Sequence, residues 1–271
     1  MTKTLYVTDL DGTLMRDDKS ISKESTDILN RLLDRGVNLT YATARSLSSA
    51  SKITQNISFH LPVIIRNGTI LANPQTNSEI EISMFGQELQ QIRQALAGTA
   101  IPGFATAYLG SDEVKLCFAG RMNEGFQDYL QNHSTDQRIH MMDSEDQLYE
   151  GKTCYFTLIA PKDELQPLYE RVKQIDGINC IFQQDKYRSE YWLELCPGNA
   201  TKAAAIHRVK QLCGCQKVIV FGDSANDISM FRVADEAYAM ENAIDGLKQI
   251  ATGIIGNNNA DGVAKWLEVH A

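Results

Sequence analysis

Ten residues near the start of the chain, Leu5-Tyr6-Val7-Thr8-Asp9-Leu10-Asp11-Gly12-Thr13-Leu14, set the strongest limit on what it can become. A β-branched and aromatic run of strand length breaks off into two carboxylates one residue apart and then a glycine. Burial alone gives a strand no reason to end that way. If Leu5–Thr8 is an interior strand of an open α/β sheet, Asp9 and Asp11 stand at its carboxyl end, where such sheets keep their ligand crevice. Side chains at i and i+2 leave a strand on the same side, so both carboxylates can converge on one cation. Neighbouring carboxylates repel unless a cation, a shared proton or water intervenes, and hard oxygen donors suit Mg²⁺. An Asp-Gly pair also makes an ordinary solvated turn, so this segment alone leaves both readings open.

The chain beyond it repeats the strand-then-polar pattern. Ile21–Arg35 carries an apolar stripe at Ile28, Leu29, Leu32 and Leu33, with Ser22 as an N-cap and Gly36 as a stop. Val37–Thr43 reads as a second strand, and strand-helix-strand at this spacing is a βαβ unit with parallel pairing. That strand ends in Thr43-Ala44-Arg45. A third, Leu61–Ile65, ends in Arg66-Asn67-Gly68, after which Thr69–Ala72 and Glu79–Ile82 form a hairpin leaving the sheet.

From about Met84 the texture changes to helices over 87–96, 123–132 and 162–175 and alternating strands over 104–109, 114–119, 153–160, 178–183 and 191–196. This predicts an inserted α+β domain over 84–190, leaving 1–83 and 191–271 as the other domain. A helix opens near Thr201 with Lys202 in its first turn. Lys217–Phe221 is the clearest buried strand and runs straight into Gly222-Asp223-Ser224-Ala225-Asn226-Asp227. Two short strands, 237–240 and 253–255, and a closing helix over 263–269 complete an α/β fold. Its expected core is a Rossmann-like, doubly wound, mostly parallel sheet.

A formal net charge of −8 argues against a nucleic-acid or anionic-membrane surface. Any phosphate the protein binds is then attracted locally, by a metal and a few placed cations. No apolar run reaches the roughly 20 residues of a spanning helix, and Met1–Thr4 leads into the first strand without the look of a signal peptide. The expectation is a cytoplasmic protein, monomeric or weakly oligomeric, whose six cysteines are reduced. Neither those cysteines nor the five histidines show metal-ligand spacing.

Asp9 and Asp11, Thr43, and Asp223 with Asp227 each follow a separate apolar strand, and Lys202 opens a helix whose N-terminal amides favour an anion. A doubly wound sheet gathers such ends into one crevice. In this arrangement the chain resembles, over essentially its full length, the Cof-type phosphatases of the haloacid dehalogenase superfamily, which carry a large α+β cap. Asp9-Leu10-Asp11-Gly12-Thr13 matches the first motif of that superfamily, Thr43 the second, Lys202 the third and Gly222–Asp227 the fourth. The tail segments Met240–Ala243 and Asn259–Ala264 are similar too. Ala44 and Ala203 stand where the family usually has glycine.

The resemblance implies a Mg²⁺-dependent phosphohydrolase acting on phosphate monoesters of small metabolites, sugar phosphates first, through an aspartyl-phosphate on Asp9. It makes Asp11 the general acid and base, and it makes Asp9, the Asp11 carbonyl and Asp223 the metal ligands. Thr43, the amides of Leu10 and Ala44, and Lys202 would hold the phosphoryl oxygens. Arg45, Asn67 and Asn226 are candidate substrate contacts, with Asn226 and Asp227 supporting the metal and the lysine. The 185–190 loop could face the crevice or be a solvated hairpin tip. A phosphomutase or phosphotransferase on the same fold is the alternative activity, and a non-catalytic phosphate-binding regulator is a third reading.

Overall fold

The structure is a computed structural model and describes residues 3–185 and 188–271. The chain divides into two compact units, Met1–Ile82 with Ala200–Ala271, and Ser83–Asn199. The first begins with β1 (Thr4–Thr8), α1 (Lys23–Asp34) and β2 (Asn38–Tyr41). Ser22 caps α1 by accepting from the Ser25 amide, the helix buries Ile28, Leu29, Leu32 and Leu33, and Gly36 turns the chain out at φ +82°. β2 then lies parallel to β1 in the register Tyr6–Leu39.

After α2 (Leu47–Thr54) come β3 (Val63–Ile65), β4 (Ile70–Asn73) and β5 (Ser78–Ile82). The expected third strand meets the main sheet at a parallel bridge between Ala42 and Ile64 and through the Thr40 hydroxyl, which donates to the Pro62 carbonyl. Its ladder runs instead to β4, antiparallel, and β4 pairs with β5. A three-residue strand followed at once by a hairpin pairs most easily with its own sequence neighbour.

The second unit holds α3 (Glu88–Leu96), β6 (Gly103–Leu109), β7 (Asp112–Phe118), α4 (Glu124–Asn132) and β8 (Ile139–Met142). It continues with β9 (Lys152–Ala160), α5 (Lys162–Val172), β10 (Ile178–Gln184) and β11 (Tyr191–Pro197). Its sheet has the order β10-β11-β9-β6-β7-β8. Leu116, Phe156, Leu158, Leu193 and Leu195 pack on one face with Ile92 and Leu96 of α3 and Leu165 and Leu168 of α5. Phe104, Cys117 and Ile159 meet Phe126 and Tyr129 of α4 on the other. The domain boundary expected at residue 190 moves, because β11 pairs along its length with β10 and β9 and so carries the second unit to Asn199. Of the loop between β10 and β11, Lys186 and Tyr187 lie outside the described residues.

The first unit resumes with α6 (Lys202–Cys213), β12 (Lys217–Gly222), α7 (Ile228–Phe231), β13 (Glu236–Met240), α8 (Asp245–Lys248), β14 (Gly253–Ile255) and α9 (Gly262–His270). Its main sheet is parallel throughout, in the order β14-β13-β12-β1-β2. The chain leaves β1 toward β2 and returns on the other side through β12. β1 is therefore where the strand order reverses, and the carboxyl ends of β1 and β12 open the crevice there. Val7, Leu39, Val220 and Phe221 lie fully buried in one cluster, closed by Val263 and Leu267 of α9.

A charged knot ties α4 to the second sheet. Lys115 donates to the Tyr129 hydroxyl (2.8 Å) and to Asp136 (2.9 Å), and Arg138 forks onto both Asp136 oxygens at 2.8 Å. Burial pushes the Asp136 carboxyl up, but the hydrogen bonds and charges of Arg138 and Lys115 outweigh it and hold the group below the usual carboxylate range. A lowered folded-state value means that this stabilisation is complete above the unfolded value of about 3.9. It is lost only as pH falls toward the lower folded value. Asp136→Asn is therefore expected to unfold more easily at neutral pH, with the gap to wild type closing below about pH 4. Denaturant midpoints measured across pH check this, and a gap that does not change with pH would overturn it.

Candidate active site

The site is built at four element ends of the first unit. The Asp9 amide donates to the Phe221 carbonyl at 2.9 Å, so Asp9 extends the β1–β12 ladder by one residue. The chain then folds tightly: Leu14 donates to the Asp9 carbonyl and Met15 to the Leu10 carbonyl, with Gly12 at φ +77°. The Leu10 side chain is wholly buried and anchors this loop in the core.

At the end of β12, a Cβ on Gly222 would stand 2.7 Å from Asp227 Oδ2. The bare glycine thus lets Asp227 fold back, and that oxygen accepts from the amides of Asp223 (2.9 Å) and Ser224 (3.1 Å). At the start of α6, Thr201 caps the helix by accepting from the Ala204 amide. This fixes Lys202, whose Nζ donates to Asp9 Oδ1 and to Asp227 Oδ1, both at 2.7 Å.

Asp9, Asp223 and Asp227 are all buried and offer oxygens within 4.8 Å of one another. Three carboxylates crowd together here, and the Lys202 ammonium bridges two of them. Burial drives the Asp9 carboxyl well above its ordinary range, Lys202 pulls it back, and Asp227, Asp223 and Asp11 push it further up. Burial works against the Lys202 charge, but Asp227 and Asp9 outweigh it and hold the ammonium protonated. An all-oxygen, charge-crowded, desolvated cluster has the donor chemistry of a hard divalent cation.

Asp11 stands differently from the expectation. Its two oxygens accept from Arg45 Nε (2.7 Å) and Nη2 (2.6 Å) in a fork, and its carboxyl is not in the acidic cluster. The strand ends at Thr8 and the chain turns immediately, so the i, i+2 alternation that would aim both carboxylates at one ion no longer holds.

Thr43 is buried, donates its amide to the Ile64 carbonyl and accepts at Oγ1 from the Arg45 amide, 3.2 Å away. Asn67 is buried as well; its amide donates to the Thr43 carbonyl at 2.9 Å, and its Oδ1 accepts from Asn226 at 3.1 Å. The structure therefore joins the candidates into two connected groups. Asp9, Lys202, Asp223 and Asp227 form one, and Asp11 with Arg45 joins Thr43, Asn67 and Asn226 in the other through the Arg45 amide. Of the remaining candidates, Leu10 is the buried residue after Asp9 and Ala44 sits half-buried between Thr43 and Arg45.

Other contributors were not visible beforehand. Thr13 donates to Asp223 Oδ1 at 3.0 Å, and its signal was the hydroxyl directly after Asp-Leu-Asp-Gly. Asn242 donates to the Gly12 carbonyl and Asn258 to the Met15 carbonyl, at 2.8 and 3.0 Å. Asp261 accepts from Arg16, Ser22 and Ser25. These clasp the loop after Asp9 from a segment some 230 residues away, a distance that spacing rules do not cross.

With this geometry in hand, comparison with known proteins is decisive. The family model of the haloacid dehalogenase-like hydrolases matches residues 6–267. The chain belongs to that family. A 5-amino-6-(5-phospho-D-ribitylamino)uracil phosphatase of Bacillus subtilis, YitU, is 26% identical, with 97% of this chain and 96% of that protein aligned. The pyridoxal phosphate phosphatase YbhA of Escherichia coli is 24% identical over 100% of this chain and 99% of its own. The crystal structure of TM0651 from Thermotoga maritima superposes with a TM-score of 0.78 at 25% identity, covering 100% of this chain and 98% of that one. As a haloacid dehalogenase-like hydrolase the protein has phosphatases as its named relatives. No helix among its described residues is long and apolar enough to cross a membrane.

Removing the ammonium tests the charge balance of this centre. Lys202→Met leaves Asp9 and Asp227 buried with nothing between them. It is expected to cost about 3–5 kcal/mol of unfolding free energy in metal-free buffer, read from denaturant midpoints. A loss below about 1 kcal/mol, the scale of an exposed pair, would show that the pair is not desolvated.

Proposed function

We propose that the protein is a Mg²⁺-dependent phosphatase that hydrolyses phosphate monoesters of small metabolites, with Asp9 as the nucleophile. The observation that carries this reading is the buried Asp9–Lys202–Asp227 bridge beside Asp223. Both oxygens of Asp227 are occupied, one by Lys202 and one by two amides. Asp9 and Asp223, with the Asp11 carbonyl, are the oxygens assigned to Mg²⁺, each carboxylate meeting a donor through Oδ1, Lys202 for Asp9 and Thr13 for Asp223. The ion supplies neutralisation of the charge shared by carboxylate and phosphate.

The remaining chemistry belongs to the chain. Lys202 neutralises the equatorial phosphoryl oxygens, and Thr43 with the Leu10 and Ala44 amides donates to them, so that charge is met by fixed donors rather than by water. Asp9 Oδ attacks phosphorus as the ester oxygen leaves, and Asp11 gives that oxygen a proton. Asp11 then takes a proton from water as the water oxygen attacks phosphorus; Asp9 is released and orthophosphate departs. Arg45 is forked onto both Asp11 oxygens in the structure and has to release one of them for Asp11 to give and take the proton. Arg45 and Asn67 are assigned to the substrate side of the site, and Asn226 to holding Asn67. We assign choice among esters to the second unit. Sugar phosphates are the first class to try, alongside pyridoxal phosphate and phosphorylated ribitylaminopyrimidines, the classes for which the relatives are named.

Phosphate release from a panel of these esters, with and without Mg²⁺, tests the proposal. Asp9→Asn should lose at least about 10²-fold in rate. Asp223→Asn should abolish the rise in Tm that Mg²⁺ gives the wild type. Folded wild type that releases no phosphate from any ester with Mg²⁺, or Asp9→Asn with full activity, would sink it. Formation of an isomeric phosphate ester in place of free phosphate would make the enzyme a mutase.

A further inference from the structure

The turn after β3 is the most strained stretch of the first unit. Arg66, Asn67 and Gly68 take three consecutive positive φ values, 49°, 53° and 99°. Two of the three carry side chains, and both are almost completely buried. Side-chain-bearing residues hold such angles only where the surroundings over-determine them. What this turn determines can be read from its contacts.

The Arg66 amide donates to the Arg45 carbonyl at 3.0 Å and the Asn67 amide to the Thr43 carbonyl at 2.9 Å, so the turn grips the 43–45 loop at both ends. Asn67 Oδ1 receives Asn226 Nδ2 at 3.1 Å, which ties it to the loop carrying Asp223 and Asp227. A Cβ on Gly68 would fall 2.2 Å from the Thr201 carbonyl oxygen and 2.8 Å from the Lys202 nitrogen. The start of α6 thus lies directly against the bare glycine. One tripeptide touches the Thr43 loop, the acidic loop and the Lys202 backbone, which are otherwise far apart in sequence.

We infer that the Arg66–Gly68 turn is the positioning element that fixes Thr43 relative to Lys202 and the acidic loop, with Asn67 acting through Asn226. Asn67 is thus a positioning residue as well as a neighbour of the substrate side. The inference rests on the phosphatase reading above. Its physical content is that the hydroxyl and the ammonium, which must meet the same phosphoryl group, share one backbone reference. An error of about 1 Å in such a reference costs on the order of 10²-fold in rate.

Asn67→Gly is the informative variant. Glycine holds a positive φ with less strain, so the chain folds, while the carboxamide and its link to Asn226 are gone. Rates on the best ester of the panel are measured for Asn67→Gly, Asn226→Ala and the double variant. The Tm rise given by inorganic orthophosphate with Mg²⁺ is measured on the same proteins. The expected result is a fall in kcat of about tenfold for Asn67→Gly, the scale of one lost hydrogen bond. KM should change little, the orthophosphate response should weaken, and the double variant should be no worse than the poorer single one. Wild-type kcat in Asn67→Gly, or strictly additive losses, would overturn the inference while leaving the phosphatase reading intact. A wild type that neither releases nor binds phosphate would remove both.

Discussion

The contact on which the first unit's site depends is the Lys202 ammonium held between Asp9 and Asp227. Two unit charges about 4 Å apart interact by roughly 4 kcal/mol in a protein-like medium, and each buried ion has lost several kcal/mol of hydration. Without a cation, Asp9 and Asp227 could not both remain charged and buried at the ends of neighbouring segments. Burial is the main upward push on the Asp9 carboxyl, Lys202 opposes it, and the charges of Asp227, Asp223 and Asp11 add to it. The lysine offsets the repulsion between the buried carboxylates it joins, and the proposed Mg²⁺ and phosphate would bind where that crowding of negative charge remains.

Placing that lysine is a matter of backbone, not of core packing. Lys202 is the first residue of α6, so its position is only as firm as the helix start, and that start is fixed by the Thr201 cap and by contact with Gly68. Asp227 is placed by two amides and by the absence of a side chain on Gly222. The apolar cluster under the sheet gives the crevice a rigid floor. The distances that matter across it are set by polar contacts to main-chain groups at strand ends.

The parts legible in the sequence were those with a local signal. A buried strand that stops at a carboxylate is readable at β1 and β12, and a capping hydroxyl before an amphipathic stripe is readable at Ser22. The parts that were not legible depend on geometry after a chain reversal. Asp11 cannot be aimed from strand alternation because Gly12 turns the chain within a residue. Its partner Arg45 lies 34 residues away on a different strand end. The short strand β8 escaped because His140 and Met141 are exposed at the sheet margin, leaving no alternation to detect. β11 was recognised as a strand, but which unit it serves follows from its partners β9 and β10, which its own residues do not specify.

The C-terminal clasp ties the loop after Asp9 to a segment near residue 260. Asp261 sits at φ +60° and collects donors from Arg16, Ser22 and Ser25. Burial raises its carboxyl, yet those hydrogen bonds keep it below the ordinary range, so it stays charged and holds all three. Gly262, next to it, lies so close to the Gly256 carbonyl that a Cβ would be 2.1 Å from that oxygen. The chain there is closely packed, and the residues bonded to Asp261 are tied to it. Under the proposed reaction this matters for Asp9, because preorganised positioning is the larger part of phosphoryl-transfer catalysis. The clasp holds the loop after Asp9 through its main chain while Lys202 holds the Asp9 carboxylate itself, so backbone and side chain are each anchored by a separate segment.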